Sequence, residues 1–252
     1  MTDPTLLSSF SEYFRVVIAD SPVLRDEVYR IRYKVYCTEM GTERAEDFPD
    51  GREFDSFDAT AVHCLLQHRS SGIYAGCVRL VFNDPANPSA QLPFELFCRE
   101  SLRPSVMEEV LPHRNSFGEI SRLAVPAVFR RRKGEQGIPV PLLLDEPPAP
   151  GSMERRYYFS HITLGLFLAA SAMGIVKGMN GVFAMMEPRL SRFLRQFGIE
   201  FQQVGEEIDY HGRRAAFYIT KEGLKLNADV MELLDFIVNE IKSQATRNPE
   251  SR

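Results

Sequence analysis

Phe117-Gly118-Glu119-Ile120-Ser121-Arg122-Leu123-Ala124-Val125 is the stretch from which the rest of the chain is read. Ile120, Leu123 and Val125 are β-formers and Pro126 ends the run, so a strand is predicted here. Yet Glu119 and Arg122 sit inside a segment otherwise fit for burial, and buried charges are costly unless paired. A perturbed carboxylate in a cleft is a candidate acid or base. In a regular strand, positions three apart point to opposite faces. Glu119 and Arg122 therefore serve one site only if a bulge re-aims one of them, and bulges gather beside active sites.

Partners of matching sign occur elsewhere in the chain. Phe14–Ala19 predicts a strand, and Asp20-Ser21-Pro22 opens a helix that runs to about Glu39. Leu24, Val28, Ile31 and Val35 form its core stripe, with Arg25, Tyr29, Arg32 and Tyr36 on the stripe beside it. The loop Gly41–Asp58 is rich in acids, unusually long for a compact domain, and ends in Glu53-Phe54-Asp55-Ser56-Phe57-Asp58. Strands over 60–68 and 73–82, joined at Ser70-Ser71-Gly72, predict a hairpin. Arg79 shares a face with Ile73, Ala75, Cys77 and Val81 and so needs a carboxylate partner.

Short helical pieces are expected over 94–111, and residues 130–156 read as a flexible insertion with many prolines. A helix over 155–174, a strand over 181–186 and a helix from Pro188 stopped by Gly198 come next. A second hairpin (200–204 and 214–220) and a helix over 223–244 close the chain. The order predicts a single domain over 1–252: an α/β protein with one mixed central sheet and helices on both faces.

Composition narrows the function classes. The net charge of −4 gives no global pull toward nucleic acid or anionic membrane. Cys37, Cys64, Cys77 and Cys98 lack zinc-ligand spacing, so no metal site is expected and buried free thiols are the better reading. The N-terminus shows no signal peptide, which predicts a cytoplasmic protein. The apolar run 157–176 is interrupted by Ser160, His161, Thr163 and Ser171, so no membrane span is expected. His161 and His211 lack a nucleophile elbow, which argues against a hydrolase triad.

Five features in order resemble the autoinducer (acyl-homoserine-lactone) synthases. They are Arg32-Tyr33-Lys34-Val35-Tyr36, the acids of Glu53–Asp58, Arg79 in Gly76-Cys77-Val78-Arg79-Leu80, Glu119-Ile120-Ser121-Arg122, and the Pro188–Gly198 helix with its hairpin. The resemblance spans roughly residues 14–220 and implies the GNAT N-acyltransferase fold. The chain departs from the pattern in having no tryptophan, a longer middle and an extra C-terminal helix. It is in these respects more similar to the N-acyl amino acid synthases, including acyltransferases associated with the PEP-CTERM/exosortase system.

The resemblance implies transfer of a fatty acyl group from an acyl-carrier-protein or CoA thioester to the amine of an amino acid or similar small acceptor. No tightly bound cofactor is implied. Glu119 becomes the general base, with Arg122 beside it. Asp55 and Asp58 hold the acceptor, with Arg32, Tyr36, Arg79 and Phe117 as further site residues. Arg32 and Arg79 read equally well as members of a structural ion-pair network. The basic run Arg130, Arg131, Arg132 and Lys133 is a candidate docking patch for an acidic carrier protein, or a solvated turn. Two other functions stay open: a lactone synthase using S-adenosylmethionine, and a non-catalytic acyl- or carrier-binding module.

Overall fold

The computed structural model describes residues 5–83, 87, 89–130, 153–210 and 212–247. An N-terminal helix α1 (Leu6–Tyr13) leads into β1 (Phe14–Ile18). Helix α2 (Pro22–Arg32) starts where the sequence places its cap: Ser21 Oγ accepts the Leu24 N–H at 3.3 Å, with proline in the first turn. The hairpin is β2 (Ala61–His68) and β3 (Tyr74–Phe82). Short helices α3 (Pro93–Cys98) and α4 (Pro104–Val110) precede β4 (Phe117–Ala124) and the single turn α5 (Ala127–Arg130). The long helix α6 (Met153–Val176), β5 (Gly181–Met186) and α7 (Pro188–Arg195) follow. Then come β6 (Gln202–Gln203), β7 (Ile208–Asp209), β8 (Arg213–Thr220) and α8 (Ala228–Arg247).

One eight-stranded sheet runs β1-β2-β3-β4-β5-β8-β6, with β7 paired to β8. Every pairing is antiparallel except β4 with β5. The α6 helix is buried almost throughout its described side chains, and Leu164, Leu166, Leu168 and Ala170 enter the main core together with Val78, Leu80 and Ile237. On the opposite face Val28, Ile31 and Val35 pack on Leu65, Cys77 and Ala124. Helices therefore cover both faces of a mixed sheet, as the sequence order predicts.

The structure differs locally from the sequence reading. The helix that reaches Glu39 changes pitch on the way: Tyr33–Glu39 is a π-helical turn, with the Met40 N–H donating to Val35 O at 2.9 Å. The acidic loop holds short 3₁₀ turns at Ala45–Asp47 and Ser56–Thr60. The strand expected over 200–204 keeps ladder pairing only at Gln202–Gln203. The last helix begins at Ala228, after a 3₁₀ turn at Lys221–Gly223. Gly198 has φ +78°, and a Cβ there would lie 2.1 Å from Lys225 O, so both backbone and space require glycine at the stop of α7.

Candidate active site

The strand that opened the reading is irregular at the predicted place. Along β3, Arg79 faces Ser121 and Cys77 faces Ala124, so three residues of β4 span the distance of two on β3. Arg122 occupies this bulge at φ +51°, the one non-glycine residue with positive φ among the described residues. On its other edge β4 pairs with β5 only from Phe117↔Gly181 to Ile120↔Ala184. Both strands continue past that point, β4 to Ala124 and β5 to Met186, so the two part. The bulge and the parting are adjacent.

Two cavities open at this junction. A large one of about 570 Å³ runs between the separated strands toward α6 and α7, lined by Val35, Leu123, Val125, Phe167, Leu190 and Phe193 among others. A small one of about 50 Å³ lies on the side of the acidic loop, walled by Glu43, Asp55, Arg79, Glu119, Phe97 and Tyr210 among others. Tyr36, Ser121, Arg122, Met185 and Arg214 line both. The larger volume falls within the range of small-molecule sites, and its walls are mainly apolar.

Glu119 is only 2 % exposed, and one of its oxygens accepts the Phe94 N–H at 2.7 Å. Burial pushes its carboxyl up to about 8, against the opposing pull of that amide and of Arg79 and Arg122. Near neutral pH such a group exchanges a proton readily, which suits a general base or acid.

The acids and arginines around it form a graded network. Arg32 is fully buried; its Nε and Nη2 donate to Glu53 at 2.5 and 3.0 Å and its Nη1 to Asp58 at 2.7 Å. Arg79 Nη1 donates to Asp55 at 2.6 Å and Asp58 at 2.7 Å, and its Nε to Ser121 Oγ at 3.1 Å. Arg122 reaches Glu53 and Glu43 at 3.2 Å each and Asp55 at 3.4 Å. Burial alone would raise the Asp58 carboxyl, but Arg32 and Arg79 outweigh it and hold it down at about 2. Asp58 also accepts the Asp55 N–H at 2.7 Å, closing a capping box on the 3₁₀ turn.

The sequence-selected residues thus separate by position. Glu119, Arg122, Asp55, Arg79 and Tyr36 line the small cavity. Tyr36 donates its hydroxyl to Leu123 O at 2.8 Å, and the Arg122 guanidinium lies 5.6 Å from its ring centroid. Tyr36 belongs to the π-helical turn. Arg32 and Asp58 stand behind the wall, as ion-pair supports. Phe117 packs in an apolar cluster against Phe183 and Tyr218, beneath the site. On α6, Phe167 lines the large cavity, whereas Leu166 and Ala170 are core. Residues 131–152, which include Arg131, Arg132 and Lys133, lie outside the described residues, as does the Arg130 side chain.

Glu43, Met185, Tyr210 and Arg214 also line the small cavity and were not picked out from sequence. Among the described residues no group of three or more His, Cys, Asp or Glu is arranged to hold a metal ion. The acids here are engaged by arginines instead. All four cysteines are free and buried. No helix of the described residues is long and apolar enough to cross a membrane.

Residues 31–139 match the family described as acetyltransferase (GNAT) domain. Among solved structures the chain is similar to the AHL synthase LasI, at 16% identity and TM-score 0.55, covering 85% of this chain and 95% of that one. It is also similar to TofI, solved with an inhibitor and MTA, at 18% identity and TM-score 0.52, covering 88% and 96%. A looser likeness, at 13% identity and TM-score 0.47 over 82% and 90%, is to FeeM, an N-acyl amino acid synthase from uncultured soil microbes. Comparison with curated protein sequences found no match. The domain match over residues 31–139 and the fold shared with LasI agree with the sequence resemblance to the GNAT fold.

Proposed function

We propose that the protein is an N-acyltransferase that moves a fatty acyl group from a carrier-protein or CoA thioester to the amine of an amino acid or similar small acceptor. One observation carries the reading: a buried carboxylate lines a small polar cavity that shares five residues with a large apolar one. An acyl chain suits the large cavity and a small amine suits the small one, so that the two reacting atoms meet at the parted strands.

Chemistry then follows from the walls. The acceptor arrives mostly as an ammonium ion, and attack requires the neutral amine. In its ionised form Glu119 takes one proton from the ammonium group, the neutral nitrogen bonds to the thioester carbon, and as the C–S bond breaks the second nitrogen proton passes to the leaving sulfur, which departs as the thiol. In this reading the backbone amides of β4 past Ile120, unpaired with β5, are the donors for the developing oxyanion. Arg122 and Asp55 fix the wall beside Glu119. Asp58, named from sequence as an acceptor ligand, acts in this reading by positioning Arg79. Carrier docking by Arg130–Lys133 and membership of the PEP-CTERM/exosortase-associated subgroup remain proposals that rest on the resemblance.

The test is product identification. Purified protein is incubated with long-chain acyl-carrier protein or acyl-CoA and, separately, each amino acid and S-adenosylmethionine. N-acyl amino acid detected by mass spectrometry supports the reading. Lactone from S-adenosylmethionine alone replaces it with the synthase reading, and acyl binding without any product replaces it with the binding module.

A further inference from the structure

We propose that Arg214 is the anion anchor of the acceptor, so that the enzyme selects amines bearing a carboxylate close to the nitrogen. This rests on the N-acyltransferase reading above and specifies its acceptor class.

Arg214 lies at the start of β8 and lines both cavities at their junction. Three arginines wall the small cavity. Arg79 and Arg122 are satisfied by Asp55, Asp58, Glu53 and Glu43. Arg214 makes no ion pair or side-chain hydrogen bond among the described residues, and its Nε is buried without an acceptor. A buried unsatisfied donor is destabilising and uncommon, and at a cavity wall its natural explanation is a ligand. The planar guanidinium presents a fork that matches a carboxylate in two-point fashion.

The anion belongs to the acceptor, not the donor. In a pantetheine thioester the phosphate is at the far end of the arm from the carbonyl, and the carbonyl must sit where the cavities join. A free cation at that join therefore meets whatever anion lies nearest the reacting nitrogen. In an α-amino acid the carboxylate is attached to the carbon that bears the nitrogen. Glu119, Asp55 and Glu43 on the other walls suit the ammonium end of the same molecule. Opposite charges thus face opposite ends of a zwitterion. Phe97 and Tyr210, which stack at 5.8 Å between centroids, complete an aromatic side to the cavity.

The experiment compares kcat/KM for an α-amino acid and its primary amide with wild type, Arg214→Gln and Arg214→Lys. Wild type is expected to favour the acid by about 10- to 100-fold, the scale of a charge-assisted bidentate contact. Arg214→Gln should lose that preference by lowering the rate with the acid while keeping turnover of the amide; Arg214→Lys should retain part of it. Amide turnover by Arg214→Gln also controls for folding. Equal use of acid and amide by wild type overturns the proposal, as does an equal fall with both substrates in Arg214→Gln. If wild type acylates no amine at all, it is the N-acyltransferase reading that fails.

Discussion

Glu119→Gln should change how stability depends on pH. The carboxyl is raised from 4.5 to about 8 by burial, so between those values the folded chain holds a proton that the unfolded chain has released. Unfolding then releases a proton, and stability falls as pH rises, by up to about 1.4 kcal/mol per pH unit. Over the whole span the contribution approaches roughly 5 kcal/mol; between about pH 6.5 and about pH 8.5 it is about 2 kcal/mol. In this window few other groups contribute. The buried His63 and His161 are pushed down to about 4 by burial, so their effect is complete once the pH exceeds the ordinary histidine range. The buried Cys64 and Cys77 thiols are pushed up, so they act only at higher pH. Glutamine keeps the shape and cannot ionise. Urea unfolding at the two pH values should show wild type losing about 2 kcal/mol relative to the variant. Parallel pH dependences for the two proteins would refute the claim that burial raises the Glu119 carboxyl.

Other perturbations separate support from contact. Arg32→Met leaves the buried Glu53 and Asp58 short of a cation and should lower unfolding free energy by about 3–5 kcal/mol in denaturant titrations. Asp58→Asn should make the protein less sensitive to acid: the wild-type carboxylate contributes stability above its unfolded value of 3.8, lost as pH falls through about 2, and circular dichroism against pH reads this. Asp55→Asn, at a cavity wall and 25% exposed, should cost less stability than Asp58→Asn while raising KM for the acceptor in steady-state assays. Phe167→Trp narrows the large cavity and should move acyl preference toward shorter chains, read by competition among thioesters of graded length.

Much of this site was legible because charge and periodicity constrain each other. Glu119 and Arg122 are three apart, so a shared role demanded a bulge, and Arg122 sits in that bulge at φ +51°. Arg79 on an apolar face demanded a carboxylate, and the acidic loop supplies two. The division of labour between Asp55 and Asp58 was not legible: both are acids in one turn, and only packing decides that Asp58 turns inward to two arginines. The π-helical turn leaves no sequence mark, because its apolar stripe looks like that of an ordinary helix. Arg214 was hidden for another reason. Arg213 and Arg214 read as a basic, exposed strand end, and only the parting of β4 from β5 brings one of them to a cavity.

The central claim is that Glu119 deprotonates an amine as it attacks a thioester. Its most direct measurement is the single-turnover rate of N-acyl amino acid formation by wild type and Glu119→Gln at saturating acyl thioester. The expected result is a fall of about 10²- to 10⁴-fold with binding of the thioester unchanged. Full turnover by Glu119→Gln would contradict it.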